Sequence, residues 1–292
     1  MTQSREIDTL MPIAKAFYQE IEQVLGISVY KDLPIRRYFI NHDDPIRAHR
    51  RIKNPRYANY FDPLLEKGSN PNGIIDDYGS IPIRQGSWVN VPYLIQNLKS
   101  YFKSHNRLIE DPFDVSQLVA KGKHWNYRGI EAKNIVFCQG IHTQNNPFFK
   151  DLPIIPIKGD VIDLRLKSIQ LPPGLYYKKR WLHSLKLKDQ SFLYRLGASY
   201  DVGNLDAQPS LEAKKELIDI FKEMLGADCP FEIEAHRSGI RPTAEDTKPI
   251  LMRHPVHDSL FAINGLGSKG SATAPYLSEQ FVNHIEGILS IN

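Results

Sequence analysis

FAINGLGSKGSATAP, residues 261–275, is a short apolar strand that runs into a glycine-rich turn and then into a helix closing the chain. Gly265, Gly267 and Gly270 are spaced as GxGxxG, the fingerprint of a strand-to-helix turn that cradles a dinucleotide. The surroundings argue for another use. The chain ends at Asn292, too soon for the rest of a βαβ unit of ~30 residues or for an acidic residue ~20 positions on. A glycine turn feeding a terminal helix is therefore expected to cap a cofactor held by an earlier segment. No GxGxxG follows a strand near the amino terminus.

Working outward, residues 8–26 read as a helix, with Leu10, Ile13, Phe17, Ile21, Val24 and Leu25 at three- and four-residue spacings. Asp8 is its expected N-cap and Gly26 its stop. From 27 to 83 the pattern predicts short extended pieces, ISVY and IRRYFI among them. A second helix opens at Pro92 with Leu94, Ile95, Leu98, Tyr101 and Phe102 on one side. VSQLVA and HWNYRG read as strands, and NIVFCQG at 134–140 as a fully buried one ending at Gly140. Strands are expected at 154–165, at 180–187 and 191–199 around a Lys-Asp turn, at 231–237 and at 248–251. A third helix is expected over 209–225. Irregular alternation of helices and strands predicts a mixed α/β (α+β) fold, with an open α/β sheet and a separate antiparallel layer.

Composition narrows the class. The chain has 292 residues, 41% apolar and 24% charged, as in an ordinary globular protein large enough for a sizeable core. No apolar run approaches the roughly 18 residues of a membrane span. The first residues, MTQSREIDTL, lack a secretory pattern. Two cysteines, Cys138 and Cys229, fit a reducing cytoplasm rather than a disulfide framework. His254 and His257 flank Pro255 without a supporting cysteine or carboxylate cluster, so no metal is expected. The net charge of +4 is mild. Arg47, Arg50, Arg51, Lys53 and Arg56 form one denser basic cluster, read as a solvated face in preference to a nucleic-acid contact.

The order of motifs carries a resemblance. Cys138-Gln139-Gly140 is followed by Pro156-Ile157-Lys158-Gly159, Gly197-Ala198-Ser199-Tyr200, SGIRPTAEDTKPI at 238–250 and NGLGSKGSATAP at 264–275. In that order they resemble the FAD-dependent D-amino-acid oxidase superfamily, which includes glycine oxidase and the oxidase half of the enzyme that modifies tRNA wobble uridine. The likeness covers essentially the whole chain. It implies a Rossmann-like FAD-binding domain, expected at 1–26, 84–152 and 238–292, interleaved with an antiparallel-sheet substrate domain at 27–83 and 153–237. The family's amino-terminal βαβ unit with GxGxxG is missing here, so the FAD domain is expected to be incomplete. A misassigned start, a trimmed chain and a remnant gene, in that order, are the expected explanations.

By the same resemblance, FAD is the expected cofactor, and the reaction is oxidation of the C–N bond of a small amine or amino acid. Arg241, in the G-I-R-P pattern, is expected to pair with a substrate carboxylate, for which a guanidinium fork is suited; a salt bridge to Asp246 is the competing role. Gly265, Leu266, Gly267, Ser268, Lys269 and Gly270 are expected against the flavin, where a helix N-terminus favours negative charge. Gly140 would let the backbone approach the same group. Cys138 is expected to pack as a small hydrophobe on its strand. Tyr200 is the candidate hydroxyl for the substrate; Tyr176 and Tyr177 share its region, and Trp88 is assigned to packing. Two alternatives stand beside this reading: a tRNA-modifying oxidase, suggested by the LGSKG turn and the basic cluster, and an FAD-free remnant.

Overall fold

The structure is a computed structural model describing residues 6–69, 73–186 and 192–290. Helix α1 (Ile7–Leu25) leads to strands β1 (Tyr30–Asp32) and β2 (Ile35–Tyr38), then to helices α2 (Asp43–Ile52) and α3 (Pro55–Ala58). Strands β3 (Ser80–Ile83) and β4 (Ser87–Val89) precede helix α4 (Val91–Ser104). Four short strands follow: β5 (Leu118–Lys121), β6 (His124–Tyr127), β7 (Ile130–Ala132) and β8 (Ile135–Phe137). The long strand β9 (Ile154–Leu166) then opens a run of β10 (Leu175–Lys178), β11 (Arg180–Lys186), β12 (Phe192–Gly197) and β13 (Asp201–Val202). Helix α5 (Leu211–Leu225), strands β14 (Phe231–Ala244), β15 (Ile250–Arg253) and β16 (Leu260–Asn264), and helix α6 (Gly270–Ile285) complete the order.

The central element is an eight-stranded sheet ordered β13-β9-β12-β11-β10-β2-β3, with β14 also paired along β9. Its two faces differ because side chains alternate along each strand. Tyr176, Leu182, Leu196 and Ile162 stand in one row across four strands and are all buried. Beneath them lies α5, whose Leu217, Phe221 and Met224 are fully enclosed. Each such side chain contributes about 1.5–3 kcal/mol on burial, so this layer is the main source of stability. The row one residue along is Arg37, Tyr177, Trp181, Gly197, Val161 and Arg237. That face carries cations and aromatic rings and looks into a cleft.

A smaller sheet, β15-β16-β8, holds the pair β16–β8 in parallel. Leu260, Phe261 and Ala262 of β16 are buried, as a strand covered on both sides requires. Helix α6 returns across it, Phe281 meeting Phe261 with ring centroids 5.1 Å apart. The Tyr18 hydroxyl of α1 donates to the Ser271 carbonyl at 2.7 Å, tying the first helix to the start of the last. The meander β5-β6-β7 is anchored by the Trp125 indole N–H, which donates to Ser259 Oγ at 2.8 Å. Among the described residues no helix is long and apolar enough to cross a membrane.

The mixed α/β class and the three longer internal helices appear as the sequence indicates, with several local corrections. Glu6, not Asp8, is the N-cap of α1; Asp8 sits in the first turn and pairs with Arg56 at 3.2 Å. Gly26 closes α1 in the left-handed region, its N–H bonded to the Glu22 carbonyl. Residues 27–83 contain two helices as well as extended pieces. On α4, Leu94 is buried, but Ile95 and Phe102 are exposed, so the apolar face is narrower than expected. The fully buried strand expected over 134–140 is only Ile135–Phe137, of which Phe137 alone is fully buried, and Cys138 is exposed rather than packed. The strand expected at 231–237 continues to Ala244, which places Arg241 within a strand. The Lys-Asp turn lies outside the described residues.

Candidate functional site

The segment carrying Arg241 and the glycine turn come together because β14 runs past the end of β16. Thr243 of β14 bridges to Leu266 in the turn. Gly267 has φ +54°, and a Cβ there would stand 3.3 Å from Thr243 Oγ1, so both conformation and space call for glycine. Asn264, 2% exposed, fastens the assembly. Its amide donates to the Gly140 carbonyl at 2.9 Å and to Thr143 Oγ1 at 2.7 Å, while its Oδ1 accepts the Gly265 N–H at 2.8 Å. One buried side chain thus holds the turn after β8 against the turn after β16.

Arg241 reaches from β14 across β9. A Cβ built on Gly159 would fall onto the Arg241 guanidinium, 2.6 Å from Cζ, so the absence of a side chain at 159 makes room for it. The guanidinium faces a cleft of ≈ 630 Å³ to which Tyr177, Tyr200 and Ser268 also contribute. Four cations line this cleft: Lys179, Arg180, Arg195 and Arg241. Three are paired with carboxylates. Lys179 pairs with Glu223, Arg180 with Glu216 at 2.6 Å, and Arg195 forms two hydrogen bonds to Asp163 at 2.7 and 3.0 Å. The Arg241 guanidinium has no ion pair or hydrogen bond among the described residues. Burial pulls its pKa below the usual value, Tyr200 opposes that, and the nearby Arg180 charge adds to it. The competing role is absent, since Asp246 accepts the Lys248 N–H at 2.9 Å and has the Lys248 ammonium 3.8 Å away.

Other groups shape the cleft. His183 is 5% exposed and stacks near Trp88, ring centroids 5.3 Å apart. Burial pushes its pKa down to about 4, so the ring is neutral near neutral pH. Burial raises the Asp163 carboxyl, but hydrogen bonds and charge from Arg195 and Arg237 outweigh that and hold it below its usual value. Among the described residues no carboxylate lines the cleft itself.

Several expected residues are accordingly neighbours. Arg241, Tyr200 and Ser268 share the cleft, and Gly140, Leu266 and Gly267 lie against the β14 segment just beyond Arg241. Tyr200 is exposed to solvent at its rim. Gly265 has φ +70° and Gly140 φ +56°, whereas Gly270 is helical. Lys269 heads α6 outside the cleft lining. Tyr176 belongs to the opposite face, its hydroxyl donating to the Pro172 carbonyl at 2.6 Å, while Tyr177 lines the cleft. Trp88 both packs and lines it. Sequence reading missed Arg195, His183 and Asn264. The two-residue alternation of Trp181 and His183 on β11, opposite Arg195, was the available signal.

A flavin ring fits this arrangement. No side chain caps the first turn of α6, and Ser268 and Ser271 from that turn line the cleft. The positive end of that helix dipole would face the electron-rich edge of such a ring. Among the described residues, no group of three or more His, Cys, Asp or Glu side chains could hold a metal ion.

A family model described as FAD dependent oxidoreductase matches residues 8–283. Glycine oxidase of Bacillus licheniformis is 27% identical over 161 residues, 54% of this chain and 42% of that protein. The tRNA 5-methylaminomethyl-2-thiouridine biosynthesis bifunctional protein MnmC of Marinobacter nauticus is 26% identical over 217 residues, 68% of this chain and 33% of that protein. The chain thus matches less than half the length of each of these relatives. The crystal structure of glycine oxidase from Bacillus cereus ATCC 14579 superposes with a TM-score of 0.83 at 16% identity, covering 99% of this chain and 83% of that one.

Proposed function

The chain belongs to the FAD dependent oxidoreductase family, and from that premise we propose that it oxidises a small amine or amino acid bearing a carboxylate. One observation carries the reading: of the four cations lining the cleft, only the Arg241 guanidinium has no ion pair or hydrogen bond among the described residues. A half-buried guanidinium without an anion is unfavourable unless a ligand supplies one. A substrate carboxylate does so bidentately and fixes the orientation of the rest of the molecule. Tyr200 at the rim offers a hydroxyl to the same ligand.

The turn at 265–270 and Gly140 would hold the flavin ring. When bound, FAD supplies the acceptor for the hydride leaving the carbon beside the amine. The protein positions that carbon through Arg241, and its neutral His183 adds no charge to compete with a cationic amine. We assign the eight-stranded sheet to substrate binding and the β15-β16-β8 sheet with α1, α4 and α6 to the flavin side. The boundary near residue 238 then falls within β14, which serves both. The test is to incubate purified protein with FAD and add small amino acids without oxygen. Bound flavin should bleach, and Arg241→Ala should raise KM roughly 10- to 100-fold while flavin stays bound. Protein that stays colourless after FAD treatment would overturn this reading.

The second reading is an oxidase acting on a modified nucleoside in tRNA. It is favoured by the MnmC relatives and by the cationic α2–α3 segment. A salt-sensitive gel shift with tRNA supports it; no shift at low salt removes it.

A further inference from the structure

A second cavity shares Tyr177 with the cleft as a common wall. It encloses ≈ 480 Å³ and is lined by Arg37, Arg47, Arg51 and Asp44, with Phe39 and Phe61 as apolar walls. Asp44, Arg47 and Arg51 recur at three- and four-residue steps on α2, so one face of that helix turns to the cavity. Arg37 comes from β2, paired in register with Tyr177 and with its guanidinium 5.8 Å from that ring. Donors from two separate elements therefore converge on one space.

Three guanidiniums here face a single carboxylate. Asp44 is 6% exposed, and its Oδ2 accepts the Ile40 N–H at 3.0 Å. Its Oδ1 takes Arg47 at 3.0 Å and stands 3.9 Å from Arg37. The Arg51 guanidinium has no ion pair or hydrogen bond among the described residues. The cavity thus holds an excess of positive charge that a monoanion leaves half compensated and a dianion satisfies. Guanidinium forks arriving from two directions suit tetrahedral oxygens better than one planar carboxylate. The phenyl walls exclude water on one side and strengthen the attraction.

We propose that this cavity is a phosphate-binding subsite, with the phosphate held between Arg37 and Arg51 and separated from Arg241 by Tyr177. The site goes beyond the oxidase reading, and its test reads binding alone, so either can fail without the other. Calorimetric titration with inorganic phosphate at low salt should give saturable binding to the wild-type chain. Arg51→Gln and Arg37→Gln should each weaken it about tenfold. Arg50→Gln is the control: Arg50 is exposed on the same helix but does not line the cavity, so its loss should change affinity less than about twofold. Circular dichroism melts confirm that each variant is folded.

Absence of saturable binding to the wild type would overturn the proposal. Equal weakening by Arg50→Gln and Arg51→Gln would also overturn it, since the attraction would then belong to the whole basic surface. Competition identifies the source of the group. Displacement of bound phosphate by tRNA but not by phosphoserine places a nucleic-acid phosphate in the cavity, and the converse places a small phosphomonoester there. Displacement by neither leaves the free inorganic anion as the ligand.

Discussion

Arg241 and the glycine beneath it give the sharpest expectations at the scale of single residues. Because the Arg241 guanidinium has no ion pair or hydrogen bond among the described residues, its replacement by Met should remove a desolvated charge without orphaning another group. Arg241→Met is therefore expected to raise stability by about 1 kcal/mol while KM rises as for Arg241→Ala, checked by thermal melts beside kinetics. A loss of stability instead would mean that the guanidinium serves the fold. Gly159→Ala should reproduce the KM defect from a distance, since its methyl group would occupy the space of the guanidinium. Unchanged kinetics in that variant would show that Arg241 adopts another position when substrate binds. Arg241 was legible in the sequence because G-I-R-P is a recognisable pattern. Asn264 was not: between an apolar strand and a glycine, asparagine reads as an ordinary turn residue, and only its two buried acceptors reveal its use.

Among the elements, α5 was legible: the helix expected over 209–225 is observed at Leu211–Leu225, beginning two residues later and ending where expected. Ser210 Oγ accepts the Ala213 N–H at 3.2 Å at the start of that helix. Ser210→Ala is expected to destabilise the protein by about 1 kcal/mol, seen as a lower denaturant midpoint with an unchanged slope. Helix α2 escaped notice for the opposite reason. DDPIRAHRRI has few apolar residues, and its periodicity lies in its charges, which hydrophobic spacing does not register. The full length of strand β14 is hidden in the sequence because S-G-I-R-P contains two strand-breaking residues. It persists because Pro242 stands opposite Pro156 of β9, so the missing donors coincide in one pair. That pairing is a tertiary fact with no local signature.

On the scale of the whole molecule, pH sensitivity follows from His183. Burial lowers its pKa from 6.5 to about 4, so between those values the unfolded chain binds a proton that the folded chain refuses. Stability should therefore fall as pH drops from about 6.5 to about 4, by roughly 3 kcal/mol at most from this group, and not below that range. His183→Gln should flatten the decline in that window; an unchanged profile would assign it to other groups. The two faces of the eight-stranded sheet have a longer-range consequence. Residues that alternate along the same strands answer to different demands, apolar closure against α5 on one side and ligand chemistry on the other. Descendants of this chain can accordingly drift in what they accept by changing every second position, while the intervening positions keep the scaffold folded. A lineage built this way explores new substrates without first having to rediscover how to fold.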